Sequence, residues 1–310
     1  MSSTALKPFP QIAEQLGSLI NDRLPLAVQF GDGCPETLRE AISYSLLAPG
    51  KRLRPILVLL AAEACGSDVE AALPAACAIE MVHAYSLVHD DLPAMDDDDL
   101  RRGRPTCHKQ YDEATAILTG DALLTRAFEL LVEEIPDTAT AAACVRILSK
   151  AAGAVGMVGG QADDLDESLG QRLFEQYEHG EIEACLATIE SIHRRKTGAM
   201  FTASLELGWT VAKADEAQAS ALRKFGESLG LAFQIIDDLL DVDGEEEATG
   251  KRLRKDLDQG KLTYPSLLGV KESRLRAEQL ISEAIDAVAS LAPQAERLEA
   301  LARFVAERDR

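Results

Sequence analysis

The stretch LRKFGESLGLAFQIIDDLLD, residues 222–241, decides the fold class. Leu222, Phe225, Leu229 and Phe233 recur at steps of three and four, and Ile236 and Leu240 continue the series. Such spacing lays an apolar stripe along one face of an α-helix. Outward from it, residues 55–65 and 73–88 are apolar nearly all round, which predicts helices buried on most faces. Residues 138–143 read as helix interior. Alanine, leucine, glutamate and lysine dominate, aromatics are 5%, and no proline stands between Pro136 and Pro265. That composition favours helix and offers little strand alternation. No Gly/Ser linker or fixed-period repeat divides the chain, so the expectation is all-α, with residues 1–310 forming one domain, a bundle of long helices.

The glycines at 153, 156, 159 and 160 superficially resemble a dinucleotide loop. They lack G-x-G-x-x-G spacing and a preceding strand-like run, so a kink or close helix packing is expected. The chain has 310 residues, is 46% apolar and carries a net charge of −20, which argues for a globular protein and against a nucleic-acid binder. Uninterrupted apolar runs reach about eight residues, such as Ala72–Ile79, against the roughly 20 of a bilayer span. No membrane span is therefore expected. The N-terminus, MSSTALKPFPQ, lacks the apolar core of a secretory signal. Six cysteines without a C-x-x-C pair suit a reduced, cytoplasmic protein with neither disulfides nor zinc.

The acid is concentrated. Residues 90–99 (DDLPAMDDDD) hold six aspartates and residues 237–247 (DDLLDVDGEEE) seven acidic side chains. Neighbouring carboxylates repel, so a cation must compensate if they share a cleft. On a helix Asp237 and Asp241 share a face with Gln234, and Asp238 lies beside them. His83 and Asp90, seven apart, share another. Pro93 predicts that the helix carrying Asp90 ends or bends, which would let Asp90 and Asp96 converge. Oxygen donors without thiolates point to magnesium or calcium. An EF-hand fails: with Gly244 at loop position 6, positions 1 and 12 are Leu239 and Gly250.

Basic clusters border these acids. GKRLRP at 50–55 supplies Lys51, Arg52 and Arg54 and is not a P-loop. Arg101, Arg102 and Arg104 follow the first acidic run. Residues 193–196 precede Thr197-Gly198, and Lys251 and Lys261 each follow a glycine. Guanidinium forks and ammonium groups suit phosphate oxygens. The combination fits two phosphorylated ligands, one held through magnesium and one held directly, beside an apolar, helix-lined space for a hydrocarbon tail.

These blocks resemble trans-prenyl diphosphate synthases. HDDLPAMDDDDLRRGRPT at 89–106 is similar to the family's first aspartate-rich motif and FQIIDDLLD at 233–241 to its second. GKRLRP, GGQ at 159–161, KTG at 196–198 and GK-x-TYP at 260–265 fill the remaining blocks in order, and the likeness spans roughly residues 40–270. Within the family the pattern most resembles the bacterial farnesyl diphosphate synthases. The resemblance implies an isoprenoid synthase fold, helices around a central substrate cavity, and a homodimer. It implies magnesium, three ions per site, with manganese able to substitute. Asp90 and Asp96 resemble the ligands of the first motif, with Asp91 supporting. Asp237 resembles the ligand of the second, with Asp238 and Asp241 supporting. Arg101, Lys196, Thr197, Gln234, Lys251 and Lys261 would hold the allylic diphosphate; Lys51, Arg54, His83 and Arg102 would hold isopentenyl diphosphate. Asp90, Asp96, Arg101, Lys196, Asp237 and Lys251 would carry the catalysis. The remaining histidines, at 89, 108, 179 and 193, are expected to be structural.

The implied reaction is ionisation of an allylic C–O bond, attack by the double bond of isopentenyl diphosphate, and loss of a proton. The charge on the departing diphosphate is met by metal ions and lysines. Tyr85, about 7.5 Å before Asp90 along a helix axis, with the small Ser86 beside it, resembles the farnesyl-length pattern in which a ring floors the pocket. A C15 product is expected, with C20 or C10 as the alternative. One departure stands out: the segment between Gln161 and Lys196 is about a dozen residues longer than the family pattern leads one to expect. Its acidic residues 163–183 predict an extra helix or a longer loop. A terpene cyclase would not need the second diphosphate site, and a non-catalytic relative would not need both aspartate motifs.

Overall fold

The computed structural model describes residues 8–249 and 262–307, with 243–249 as backbone only. The chain is a succession of helices. The first six are α1 (Phe9–Ala27), α2 (Glu36–Leu46), α3 (Leu53–Ala64), α4 (Leu73–Asp90), the short α5 (Cys107–Gln110) and α6 (Glu113–Glu134). Then come α7 (Thr138–Ala152), α8 (Met157–Asp164), α9 (Glu167–Glu178), α10 (Ile182–His193) and α11 (Ala199–Val211). The 34-residue α12 (Glu216–Thr249) is followed by α13 (Tyr264–Leu268), α14 (Val270–Val288) and α15 (Glu296–Ala306). Among the described residues the only strands are β1 (Leu100–Arg101) and β2 (Arg104–Pro105), an antiparallel pair. Arg102 and Gly103, both at positive φ (54° and 75°), form the two-residue turn between them. Two such residues are what a type I′ hairpin demands.

The described chain divides into two compact units: residues up to 148 with 207–214, and 149–206 with 215 onward. In the first, α3 and α4 pack on each other, and α4 also packs on α1, α2 and α6. Nine of the twelve residues of α3 are buried, and α4 buries Ile79, Met81, Val82 and Tyr85 among its alanines. In the second, α12 packs against α14, and α15 closes on α14. Leu222, Phe225 and Leu229 of the deciding stretch are 0% exposed, so its apolar stripe is a core seam. Between α7 and α8 the glycine-rich segment forms a turn, as a kink requires, and the acidic segment after Asp164 forms α9.

Run length alone understates how apolar two helices are. By length and composition, Val69–Asp90 and Thr138–Asp164 are each long and apolar enough to cross a bilayer. Counting uninterrupted runs missed them because isolated polar residues break stretches whose alanines and valines keep mean hydropathy high. The most apolar window of Val69–Asp90 is 67% buried inside the protein, the pattern of a core helix; that of Thr138–Asp164 is 39% buried. None of the six cysteines forms a disulfide.

Candidate functional site

In the first unit the site is built on the end of α4. Pro93 cannot continue a helix, and the chain turns back at once. Met95 N–H donates to Leu92 O (2.9 Å), Asp97 N–H to the same carbonyl (3.1 Å), and Asp96 N–H to Asp90 O (2.8 Å). The bend thus joins Asp90, half-buried, to Asp96, exposed, through the backbone. Asp91 points elsewhere. It is 3% exposed and takes an ion pair from Arg101, whose Nε donates at 2.7 Å. The hairpin is what delivers Arg101 to it.

The same hairpin carries Arg102 to the start of α3, where its guanidinium donates to Pro49 O. The three cations of GKRLRP part company there. Lys51 is exposed. Arg52 adopts positive φ (49°) and turns into the core, donating to Glu80 Oε1 (2.7 Å), Asn21 Oδ1 (3.0 Å) and Ala48 O (2.9 Å). Arg54 reaches His83, with 3.4 Å between Nη1 and Nε2. A cavity of about 70 Å³ is lined by His83, Asp91, Arg101 and Arg102, with Arg52 and Glu80 behind them. Burial holds the His83 imidazole well below its ordinary pKa, and Arg54, Arg102, Arg101 and Arg52 push it further down. Four guanidinium groups surround a neutral imidazole, and with Arg52 and Arg101 paired to Glu80 and Asp91 the recess keeps an excess of positive charge that an anion would complement.

Tyr85 is 6% exposed on α4, edge-on to His89 at 5.8 Å between ring centres. Burial raises its phenol pKa, and Asp90 adds to the rise. Ser86 is half-buried and donates to His83 O (2.9 Å). His89 is spoken for by a 3.0 Å contact with Ile117 O, and His108 by Thr106 Oγ1 at 3.1 Å. Asp97, Asp99 and His108 bring ligand-type atoms within 4.8 Å of one another, and Asp99 pairs with Lys109 (2.8 Å).

In the second unit the GGQ and KTG blocks meet. Residues 194–198 form one turn of π-helix after α10, a geometry frequent at functional sites. Gly160 lets this turn approach α8: a Cβ there would lie 2.3 Å from Lys196 N. Two parallel ion pairs lock the contact, Arg195 to Asp163 (2.5 Å) and Lys196 to Asp164 (2.6 Å). Thr197, 8% exposed, donates to Gln234 Oε1 on α12 (3.1 Å), so two predicted substrate residues are partners. One turn further along α12, Asp237 and Asp238 are half-buried and Asp241 is exposed. The backbone N–H of Tyr264 donates to Asp238 Oδ2 (3.1 Å). Asp164, His193 and Asp238 line a cavity of about 900 Å³, with Leu173 and Phe174 of α9 on another wall. Lys251 and Lys261 lie outside the described residues.

The sequence reading did not single out Asp163 and Asp164, both engaged with the cationic turn; His193, read as structural, borders the cavity with Asp238. The signal was available: acids at 163 and 164 and bases at 195 and 196 pair at a constant separation of 32 residues. Both aspartate motifs offer carboxylate oxygens, and the turn after α4 draws Asp90 and Asp96 together. That donor set fits a hard cation such as magnesium.

Comparison with known proteins agrees with this chemistry. A sequence model of the family described as polyprenyl synthetase matches residues 35–300. The chain is 42% identical over 278 residues to farnesyl diphosphate synthase of Bacillus subtilis, covering 89% of this chain and 90% of that one. It is likewise 42% identical over 294 residues to geranylgeranyl diphosphate synthase of Cyanophora paradoxa, covering 94% and 93%. The crystal structure of a FPP/GFPP synthase from Zymomonas mobilis superposes with a TM-score of 0.80 at 36% identity, over 96% of this chain and 98% of that one. With an all-α architecture shared with that structure and a family match over most of its length, the chain belongs to the polyprenyl synthetase family.

Proposed function

We propose that the protein is a magnesium-dependent trans-prenyltransferase that joins isopentenyl diphosphate head-to-tail to dimethylallyl or geranyl diphosphate, releasing farnesyl diphosphate and pyrophosphate. The observation that carries this reading is the recess of Arg54, Arg101 and Arg102 around neutral His83, next to a turn that presents Asp90 and Asp96. Lys51, Arg54, His83 and Arg102 bind isopentenyl diphosphate. Arg101, Lys196, Thr197 and Gln234, with Lys251 and Lys261, bind the allylic diphosphate. Asp90, Asp96 and Asp237 hold magnesium, supported by Asp91, Asp238 and Asp241. Bound magnesium supplies Lewis-acid neutralisation of the leaving diphosphate.

The chain's own residues do the rest. Asp164 and Asp91 hold Lys196 and Arg101 in place, and on this reading their charge meets that of the departing diphosphate. The allylic cation is captured by the double bond of isopentenyl diphosphate, forming the new C–C bond. The adduct loses a proton, which the released diphosphate takes. Apolar walls exclude the water that would quench the cation. Buried Tyr85, just over one turn before Asp90, favours a C15 limit over the C20 product named for one relative. A homodimer in the cytoplasm is the expected setting, and the number of magnesium ions is taken as three.

The experiment is a radiochemical product assay with geranyl and isopentenyl diphosphates. A C15 product that requires magnesium is expected. No consumption of isopentenyl diphosphate would refute the reading. Tyr85→Ala is expected to extend products beyond C15; an unchanged product would remove Tyr85 as the floor.

A further inference from the structure

Tyr264 makes three contacts at once, on two helices of the second unit. It is 1% exposed at the first position of α13. Its hydroxyl donates to Glu190 Oε1 on α10 at 2.5 Å, and its ring stacks on His193 at 5.9 Å and 22°. Its backbone N–H donates to Asp238 Oδ2 on α12 at 3.1 Å. The preceding residue is fixed too: Thr263 N–H donates to Ser266 Oγ (2.7 Å). The other oxygen of Glu190 accepts from Arg194, which opens the π turn carrying Lys196 and Thr197 (3.5 Å).

We propose that Tyr264 is a positioning residue that fixes the carboxylate of Asp238, with Glu190 as its anchor, and so ties the second aspartate motif to the element bearing Lys196. A bond this short to a carboxylate is among the stronger protein hydrogen bonds, and burial of the phenol makes its loss costly. With the ring pinned at its far end and stacked along its face, the backbone N–H cannot wander, and Asp238 keeps one oxygen oriented. Groups that orient metal-binding carboxylates matter to metal affinity nearly as much as the ligands themselves. The inference rests on the proposed reading in one respect, that Asp238 belongs to the metal–diphosphate site.

The test is Mn2+ binding in the presence of inorganic pyrophosphate, followed by the electron paramagnetic resonance signal of free Mn2+, with melting temperatures recorded in parallel. Tyr264→Phe is expected to weaken Mn2+ uptake about tenfold while the protein stays folded. Glu190 is 28% exposed at its side chain, so Glu190→Leu is tolerated as a second route to the same defect. Glu190→Gln keeps an oxygen that can accept the phenol hydrogen, and its affinity is expected to stay within about twofold of wild type. Wild-type affinity in Tyr264→Phe or Glu190→Leu overturns the inference, as does a Glu190→Gln defect as large as that of Glu190→Leu. Wild-type protein that takes up no Mn2+ with pyrophosphate overturns the metal–diphosphate reading itself, and the inference with it.

Discussion

Gly160→Ala isolates the contact that seats the π turn against α8. The added Cβ would lie 2.3 Å from Lys196 N and 2.7 Å from Lys196 Cα, where ordinary contact begins at 3.4 Å. The obstacle is backbone, which cannot rotate away as a flexible side chain would. Either α8 or the π turn must therefore retreat by about 1.1 Å. Overpacking of this kind costs about 1–3 kcal/mol. The larger effect falls on chemistry, since a misplacement of about 1 Å costs about a hundredfold in rate. The ion pair from Lys196 to Asp164 and the bond from Thr197 to Gln234 would both be stretched. Isopentenyl diphosphate turnover at saturating magnesium, read beside the melting temperature, separates the two contributions. The matched control is Gly17→Ala on α1, where nothing lies within 4 Å and helix propensity predicts a gain of about 0.5–1 kcal/mol. A Gly160→Ala protein with wild-type turnover and melting temperature would refute the reasoning.

Three further outcomes follow from the same geometry. Asp90→Asn and Asp237→Asn each remove a charge from an oxygen donor set and should cut turnover by orders of magnitude with circular dichroism unchanged; full activity in either would contradict the ligand assignment. Glu80→Ala strands Arg52 in the core, where both side chains are under a tenth exposed, and chemical denaturation should show a loss of about 3–5 kcal/mol; a loss well under 1 kcal/mol would mean that Asn21 and Ala48 suffice to satisfy the guanidinium. His83 titrates below its ordinary 6.5 in the folded protein, so on acidification the unfolded chain takes up the proton first and stability falls as pH drops below that value. His83→Asn lacks this contribution, so its melting temperature should decline less than wild type between pH 7.5 and 5, and parallel curves would count against the buried, neutral imidazole.

What the sequence made legible was periodic or positional. The steps from Leu222 to Leu240 specify a helix because burial of one face rewards only that spacing, and Pro93 specifies a bend because it cannot donate to the turn before it. What it concealed was direction. Lys51, Arg52 and Arg54 are adjacent in sequence and alike in charge, yet the positive φ of Arg52 sends its side chain inward to Glu80 while Arg54 meets His83. Glu80 was the available clue, a lone acid within the otherwise apolar stretch 73–82 of α4. The same blindness hid Asp163 and Asp164: within an acidic segment they looked like solvated surface, and only the packing of α8 on the π turn makes them partners of Arg195 and Lys196.

Direction also sorts the two kinds of cation in this protein. Arg52, Arg101, Arg195 and Lys196 each have a carboxylate within ion-pair distance. Those pairs fix frameworks, since a buried partner contributes geometry more than net stability. Around His83 the balance differs. Its imidazole is neutral, and after burial the main charged groups that shift it, Arg54, Arg102, Arg101 and Arg52, all push its pKa down. Two of those arginines, Arg52 and Arg101, are ion-paired with Glu80 and Asp91, which line the same cavity, so four guanidinium groups face two carboxylates. The excess of positive charge is repulsive in itself, and a negatively charged ligand in the recess would relieve it. On the proposed reading that ligand is the diphosphate end of isopentenyl diphosphate, and relief of the repulsion contributes to its affinity.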